Sequence, residues 1–170
     1  MNEISIRDAR TEDAEVIAAI YGHHVLNGTA SFDFVPPSVD YMRAKIDGVR
    51  AAGWPFLVAE RGDEVVGYAY ATQLRDREGY RFTAEDSIYV HPDWMGQGIG
   101  GSLLDALIVR SVAFGFRTMI AVIGGAEPGS IAVHSKRGFS EVGRLRAVGY
   151  KHGRWFDSVY MQLEMRPAAD

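Results

Sequence analysis

The sequence predicts a mixed α/β domain in which a central, mostly antiparallel sheet is flanked by about four helices. The 170 residues are enough for one domain with its own core. Apolar residues alternate with polar ones in several short runs, as in half-buried strands, and recur at helical spacing in others. Because no internal repeat or low-complexity tract divides the chain, we expect residues 1–170 to form a single domain.

The first half of the chain is predicted to fold as a strand, two helices and a three-stranded meander. A strand at residues 4–6 precedes a helix that begins near Thr11 and ends at Gly28. A second helix follows Ser38, a good N-cap residue, and ends at Gly53. The three strands are expected at residues 56–60, 65–72 and 83–90, with a hairpin turn at 61–64.

The second half is predicted to add a β-loop-α-β unit and a C-terminal hairpin. A helix over residues 103–112 ends at Gly115 and leads to a buried strand at 119–123. A short helix over 130–137 stops at Gly138. Two final strands, at residues 142–150 and 155–165, flank the turn His152-Gly153. The predicted order is therefore βααβββαβαββ.

Composition excludes several classes of function. The chain has no cysteine, which removes disulfides, thiolate metal sites and cysteine nucleophiles, and we expect no metal cofactor. A net charge of -4 argues against a nucleic-acid-binding protein, so an anionic ligand would need a local basic pocket. With no apolar run of about 20 residues and no export signal at the start, we expect a cytoplasmic protein that does not enter membranes.

A cluster of glycines lies between the predicted strand at 83–90 and the following helix. In such a loop, backbone N–H groups can close around phosphate oxygens at the positive end of the helix dipole. The sequence therefore predicts an anion site, although a glycine-rich turn that binds nothing is the alternative. The glycines concerned are Gly96, Gly98, Gly100 and Gly101.

The same glycines fit the dinucleotide-binding pattern G-x-G-x-x-G, so a dinucleotide is an alternative ligand. A dinucleotide-binding domain carries this pattern after its first strand and ends the next strand in an acidic residue. Here the glycines follow several strands, and the next strand ends in Ile123-Gly124-Gly125 without a carboxylate. The context therefore disfavours a dinucleotide.

Val90-His91-Pro92 followed by Gly96-Gln97-Gly98-Ile99-Gly100 resembles the pyrophosphate loop of the GNAT superfamily of N-acetyltransferases. Nearly the whole chain resembles the phosphinothricin and methionine sulfoximine acetyltransferases of that superfamily, through residues 80–90, 121–124, 134–139 and 145–155. The run Gly149-Tyr150-Lys151-His152-Gly153-x-Trp155 is the most specific part. The resemblance implies the GNAT acyl-CoA N-acyltransferase fold, acetyl-CoA as cosubstrate and a homodimer.

The resemblance also implies which residues contact the cofactor. They come from the strand before the loop, from the loop itself and from the later short helix: Ile88, Tyr89, Val90, Gly96, Gln97, Gly98, Ile99, Gly100, Gly101, Ser102, Ser130 and His134. Two residues depart from the family pattern. Met95 stands where the family has Gln or Arg, and Glu127 stands where it has Asn, whose amide donates hydrogen bonds that a carboxylate cannot.

Acetyl transfer to an amine requires a neutral amine, stabilisation of an oxyanion and a proton for the leaving thiolate. By resemblance, Glu85 is the general base. A backbone N–H of a splayed strand within residues 88–90 donates a hydrogen bond to the oxyanion. Strand alternation puts Glu85 and Asp86 on opposite faces, so only one of them can enter a given cleft. The alternative for Glu85 is a solvated strand residue.

His134 corresponds to a histidine near the cofactor sulfur in the phosphinothricin group. It could protonate the thiolate or bond the pantetheine arm. The alternative is a structural histidine that only packs within its helix. The residue type alone does not distinguish the catalytic role from the structural one.

The resemblance also implies that the acceptor site uses basic and aromatic residues. Arg75 and Arg77 precede the Glu85 strand, and guanidinium groups suit carboxylate, phosphinate or sulfoximine oxygens. Phe32 is expected to pack on the substrate side chain, with a hydrophobic staple as the alternative. Tyr150 and Lys151 in the C-terminal hairpin are expected to reach across a dimer interface.

The leading hypothesis is direct transfer of acetyl to the α-amine of phosphinothricin, methionine sulfoximine or methionine sulfone. The same scaffold could instead acetylate a polyamine, an aminoglycoside or a protein N-terminus. A non-catalytic regulator that binds acyl-CoA is an alternative of a different class.

Overall fold

A computed structural model describes residues 3–165 of the chain, and in it a seven-stranded sheet has the order β1-β2-β3-β4-β5-β7-β6. Its strands are β1 (Ile4–Asp8), β2 (Phe56–Arg61), β3 (Glu64–Gln73), β4 (Thr83–Val90), β5 (Thr118–Gly124), β6 (Ser140–Lys151) and β7 (Arg154–Glu164). The helices are α1 (Ala14–Asn27), α2 (Val39–Ala51), α3 (Ile99–Phe114) and α4 (Pro128–Ser135). The predicted order of strands and helices is confirmed.

Within the described residues, five of the six neighbouring strand pairs are antiparallel and β4–β5 is parallel. The parallel pairing joins Thr83–Glu85 to Thr118–Ile120 and extends no further along the strands that the structure describes. On its other side β4 stays paired with β3 as far as Val90. A gap therefore opens between β4 and β5 beyond Glu85.

The sheet separates two hydrophobic cores. On one face, Leu103, Leu104 and Leu107 of α3 are fully buried against β-strand residues such as Met119. On the other, α1 and α2 bury side chains that include Ile17, Ile20 and Ile46 against Phe56 and Tyr68. Full burial of one such aliphatic side chain contributes about 1.5–3 kcal/mol. The two cores fix β4 between the helix layers.

Local sequence signals explain most of the element boundaries. Ser38 caps α2, as expected, because its Oγ accepts a hydrogen bond from the Tyr41 N–H at 3.1 Å. Gly115 ends α3 in the left-handed conformation at φ +117°. The turn between β6 and β7 contains His152 and Gly153, both with positive φ. This confirms the predicted hairpin.

Several boundaries differ from the sequence-based prediction, among them the start of α3, which lies at Ile99 and not at residue 103. The segment at Thr11–Asp13 is a short 3-10 turn, and α1 itself begins at Ala14. Helix α4 begins at Pro128 instead of Ser130, because Glu127 caps it and proline suits the first helical turn. β6 is longer than expected and begins at Ser140.

Among residues 3–165, no helix is long and apolar enough to cross a membrane.

Candidate active site

A cavity of about 740 Å³ lies along the gap between β4 and β5. It is enclosed by the end of β4, the loop before α3, the first turn of α3 and α4. Most of the predicted cofactor residues line it: Ile88, Tyr89, Val90, Gly96, Gly98, Ile99, Gly100, Gly101, Ser130 and His134. Gln97 and Ser102 lie in the same loop and helix start without lining the cavity.

The loop before α3 presents free backbone donors to this cavity. Gly96 and Gly98 have φ values of +76° and +83°, which glycine adopts without strain. The first helical bond runs from the Ser102 N–H to the Gly98 carbonyl at 3.1 Å. The preceding N–H groups therefore have no partner within the helix and point out of its positive end. They belong to Ile99, Gly100 and Gly101.

Basic side chains surround this helix end although the chain as a whole is acidic. The Arg137 guanidinium lies against Gly101 and pairs with Asp105 at 2.8 and 2.9 Å. Lys136 lines the same cavity, and Arg61 donates to the Gln97 amide oxygen at 3.2 Å. The expected local basic pocket is therefore present. No sequence pattern pointed to Arg137, because the packing of α4 on α3 brings it there.

The backbone of β4 also faces the cavity. Hydrogen bonds from the Leu74 N–H to the Thr83 carbonyl and from the His91 N–H to the Val66 carbonyl show that odd-numbered β4 residues bond to β3. The N–H groups of the even-numbered Ile88 and Val90 therefore point into the gap. The Val90 carbonyl accepts from His24 Nε2 at 2.7 Å. His24 is a cavity residue that sequence reasoning missed.

Glu85 lines a smaller cavity of about 210 Å³ that meets the large one at the gap. Both cavities are lined by Ile88, Tyr89, Glu127, Ser130 and His134. The Glu85 side chain is 34% exposed, and its Oε2 lies 4.0 Å from Arg75 Nη1. Burial and the charge of Asp86 raise the pKa of Glu85, and Arg75 opposes them without cancelling the shift.

His134 has a partner at each ring nitrogen. Nε2 lies 3.0 Å from Asp86 Oδ2, and Nδ1 lies 2.7 Å from the Ser130 carbonyl oxygen. Burial lowers the pKa of His134, but the Asp86 hydrogen bond and charge outweigh it, so the pKa is raised overall. Asp86 was recognised from alternation only as the carboxylate on the other face. Its partner is 48 residues away and left no local signal.

The remaining predicted acceptor residues are more scattered. Arg77 is exposed and lines neither cavity. The Phe32 ring packs against Gly149 of β6 and near Gly124 of β5, also outside both cavity linings. Tyr150 is exposed on β6, where its ring contacts Trp155 at 5.1 Å between centroids. Of this group, only Arg75 approaches Glu85.

Lys151 points into its own chain, which differs from the expectation that it reaches across an interface. Its side chain is buried, and Nζ donates to the Ser31 carbonyl at 2.7 Å. Ser31 itself lines the smaller cavity. The lysine therefore fixes the loop between α1 and α2 beside Glu85.

Met95 and Glu127, the two residues that depart from the family pattern, both lie at the large cavity. Met95 is exposed at the cavity edge. The Glu127 carboxylate accepts from the Gly129 and Ser130 N–H groups, at 3.1 and 2.7 Å, and so closes the start of α4 to other anions. Among residues 3–165, no group of three His, Asp or Glu side chains could hold a metal ion.

Comparison with known proteins agrees with this geometry. Residues 6–160 match the acetyltransferase (GNAT) domain family. The chain is 48% identical to a phosphinothricin N-acetyltransferase of Alcaligenes faecalis, over 93% of this chain and 81% of that one. It is 42% identical to an L-methionine sulfoximine/L-methionine sulfone acetyltransferase of Pseudomonas aeruginosa, over 96% and 95%.

A solved structure gives the same result. A GNAT superfamily phosphinothricin acetyltransferase from Sinorhizobium meliloti, crystallised with AcCoA, superposes with a TM-score of 0.94 at 46% identity, covering 97% of this chain and 89% of that one. The fold and the site thus define an N-acetyltransferase. The chain belongs to the GNAT acetyltransferase family.

Proposed function

We propose that the protein transfers the acetyl group of acetyl-CoA to the α-amine of a small amino-acid analogue, such as phosphinothricin, methionine sulfoximine or methionine sulfone. The observation that carries the proposal is the junction of two cavities at the β4–β5 gap. One cavity ends at free backbone donors and basic side chains, and the other holds Glu85 beside Arg75. Relatives named for these analogues support the choice of acceptor. Detoxification is the corresponding biological role.

Acetyl-CoA is the cosubstrate, and when bound it supplies the acetyl group as a thioester. Its pyrophosphate suits the N–H groups at the start of α3, with Lys136 and Arg137 balancing the negative charge. An amide oxygen of an extended pantetheine arm suits the unpaired Val90 N–H, which faces the large cavity. Ser130 and His134 line the opposite wall.

Glu85 accepts a proton from the acceptor ammonium, directly or through water, so that the neutral amine can attack the acetyl carbonyl. A new C–N bond then forms and the C–S bond breaks. The Ile88 N–H, on a residue that lines both cavities, is the donor available for the carbonyl oxygen as it becomes negative. The acceptor ammonium loses two protons in all. Glu85 takes the first, and the second offsets the proton that the CoA thiolate takes up to become a thiol. His134 lies at the junction, where charge builds on sulfur.

The acceptor carboxylate suits Arg75, which is 61% exposed and already close to Glu85. A guanidinium here selects for anionic groups and against polyamines and aminoglycosides. Arg77 and Phe32 remain candidates for binding the far end of the acceptor. The Arg77 side chain is exposed, and Phe32 lies next to Ser31 in the loop between α1 and α2.

We further propose that residues 1–170 form a single cytoplasmic domain that assembles as a homodimer. One sheet carries both helix layers. β6 is an edge strand with exposed apolar side chains, which favours a covering partner. These side chains are Val142, Leu145, Val148 and Tyr150.

Product analysis tests the proposed acceptor. The enzyme is incubated with acetyl-CoA and, separately, with phosphinothricin, methionine sulfoximine, methionine sulfone, spermidine, an aminoglycoside and a peptide with a free N-terminus. Thiol release and mass spectrometry of the product are followed together. We expect N-acetylated amino-acid analogues with the highest kcat/KM. Preferred acetylation of a cationic acceptor would contradict the proposal, and tight acetyl-CoA binding without any acetylated product would favour a regulator.

A further inference from the structure

Asp86 is a buried carboxylate that lines the smaller cavity. Its side chain and that of His134 are each only 4% exposed. Asp86 leaves β4 on the face opposite Glu85, so it cannot share the acceptor-side role of that residue. Because a buried carboxylate without a partner is strongly destabilising, its close contact with His134 Nε2, at 3.0 Å, is the feature that stabilises it.

The two contacts of His134 constrain its protonation state. The Ser130 carbonyl oxygen can only accept a hydrogen bond, so Nδ1, at 2.7 Å, carries a proton. When the Asp86 carboxylate is ionised it also only accepts, and Nε2 then carries a second proton. A ring with both nitrogens protonated is a cation. The edge-to-face contact with Phe139, at 4.9 Å between ring centroids, holds the plane of this ring.

The charged groups around His134 come from three segments. On β4, Asp86 favours the imidazolium at hydrogen-bonding distance, and Glu85 lines the same small cavity. The Ser130 carbonyl of α4 favours the charged ring, whereas Arg137, just after α4, opposes it. Glu127, just before α4, adds a further negative charge to the cavity wall. Negative groups therefore predominate around the ring.

We propose that Asp86 is a positioning residue for acetyl transfer, which keeps His134 as an imidazolium with a fixed orientation at the gap where negative charge develops on the leaving sulfur. This proposal rests on the proposed acetyl transfer. A fixed positive charge at this point stabilises the transition state more than the ground state, because the thioester sulfur is neutral before the C–S bond breaks. Asp86 itself need not touch either substrate.

Nitrogen-15 NMR of histidine-labelled full-length protein tests the charge directly, with the His134 signals assigned from a His134→Gln variant. In the wild type we expect both ring nitrogens to be protonated at neutral pH. In Asp86→Asn the ring should lose its Nε2 proton, because burial then dominates, while Nδ1 keeps its bond to Ser130. A neutral His134 ring in the wild type, with the proton on Asp86, would overturn the proposal.

Kinetics test the consequence for the reaction. In Asp86→Asn we expect kcat to fall about 10²–10³-fold with the KM for acetyl-CoA nearly unchanged. The wild-type kcat should fall as pH rises through the raised pKa of His134, and this limb should move to lower pH in the variant. Unchanged kcat, or an unchanged alkaline limb, would contradict a positioning role.

Asp47→Asn is the matched control, since Asp47 is exposed on α2 and contacts Thr11 far from His134. It should leave the His134 signals and kcat unchanged. If Asp86→Asn does not fold, the wild-type NMR titration and the wild-type alkaline limb still decide the question. The NMR result needs no acceptor, so a wrong acceptor assignment can be distinguished from a wrong assignment of Asp86.

Discussion

Glu85 and Asp86 are consecutive on β4 but serve opposite faces of the sheet. The Glu85 carboxylate lies 4.0 Å from the Arg75 guanidinium, and the Asp86 carboxylate lies 3.0 Å from the His134 ring. The gap between β4 and β5 begins just past these residues, and both carboxylates line the smaller cavity beside it, each held by a different partner. A strand with period two is sufficient to produce this division.

Reversing the charge at Arg75 should weaken the binding of acceptors that carry a carboxylate. We expect Arg75→Glu to lower kcat/KM for phosphinothricin about 10–100-fold, as for loss of a hydrogen bond between charged groups. The KM for acetyl-CoA should stay close to the wild-type value. Arg81→Glu, an exposed arginine in the same loop region, is the control and should change little. Improved turnover of phosphinothricin by Arg75→Glu would show that Arg75 does not bind the acceptor carboxylate.

Adding a side chain at Gly98 should disturb the anion site. At φ +83° an alanine is strained by about 1–2 kcal/mol, and relief of the strain would move the N–H groups at the start of α3. We therefore expect Gly98→Ala to raise the Kd for acetyl-CoA about tenfold in calorimetry. Gly79→Ala is the control, because Gly79 has open space around it. Equal affinity for acetyl-CoA in both variants would show that the pyrophosphate does not bind at the start of α3.

The ion pair of Arg7 with Asp13 should make the fold sensitive to acid. Arg7 donates to both Asp13 oxygens, at 2.8 and 2.9 Å. Burial alone would raise the pKa of Asp13, but the hydrogen bonds from Arg7 and from the Arg10 backbone outweigh it and lower the pKa overall. Such a carboxyl stabilises the fold above its unfolded pKa, and this contribution is lost as pH falls through the lowered pKa.

Asp13→Asn should therefore reduce the free energy of unfolding by about 1–3 kcal/mol at neutral pH, measured by urea denaturation. The difference from the wild type should shrink as the solution becomes strongly acidic. Asp40→Asn removes an exposed partner of Arg43 and should have little effect at any pH. A difference between Asp13→Asn and the wild type that does not change with pH would contradict a role for the ionised carboxyl.

Local patterns predicted most of the fold because they specify elements one at a time. The period-two alternation of β4, the Ser38 cap and the His152-Gly153 turn each act within a few residues. The order of strands in the sheet depends on long-range contacts, so the exact length of the parallel β4–β5 pairing had no sequence signal. That short pairing is what creates the gap.

The candidate site was predicted where it depends on a continuous motif and missed where it depends on packing. The glycine loop lines the large cavity as expected. His24, Asp86 and Arg137 were missed because their partners lie 66, 48 and 32 residues away in sequence. Lys151 was expected at an interface, but its burial against the Ser31 carbonyl depends on how the C-terminal hairpin folds back.

The pH dependence of kcat/KM in the wild type and in Glu85→Gln tests most directly whether Glu85 is the base. Because only the ionised carboxylate accepts a proton, kcat/KM should rise with pH through the raised pKa of Glu85. In Glu85→Gln we expect this limb to disappear and kcat/KM to fall about 10²–10⁴-fold. Glu78→Gln, an exposed glutamate outside both cavities, should behave as the wild type. Undiminished turnover in Glu85→Gln, with the same pH profile as the wild type, would contradict a base at this position.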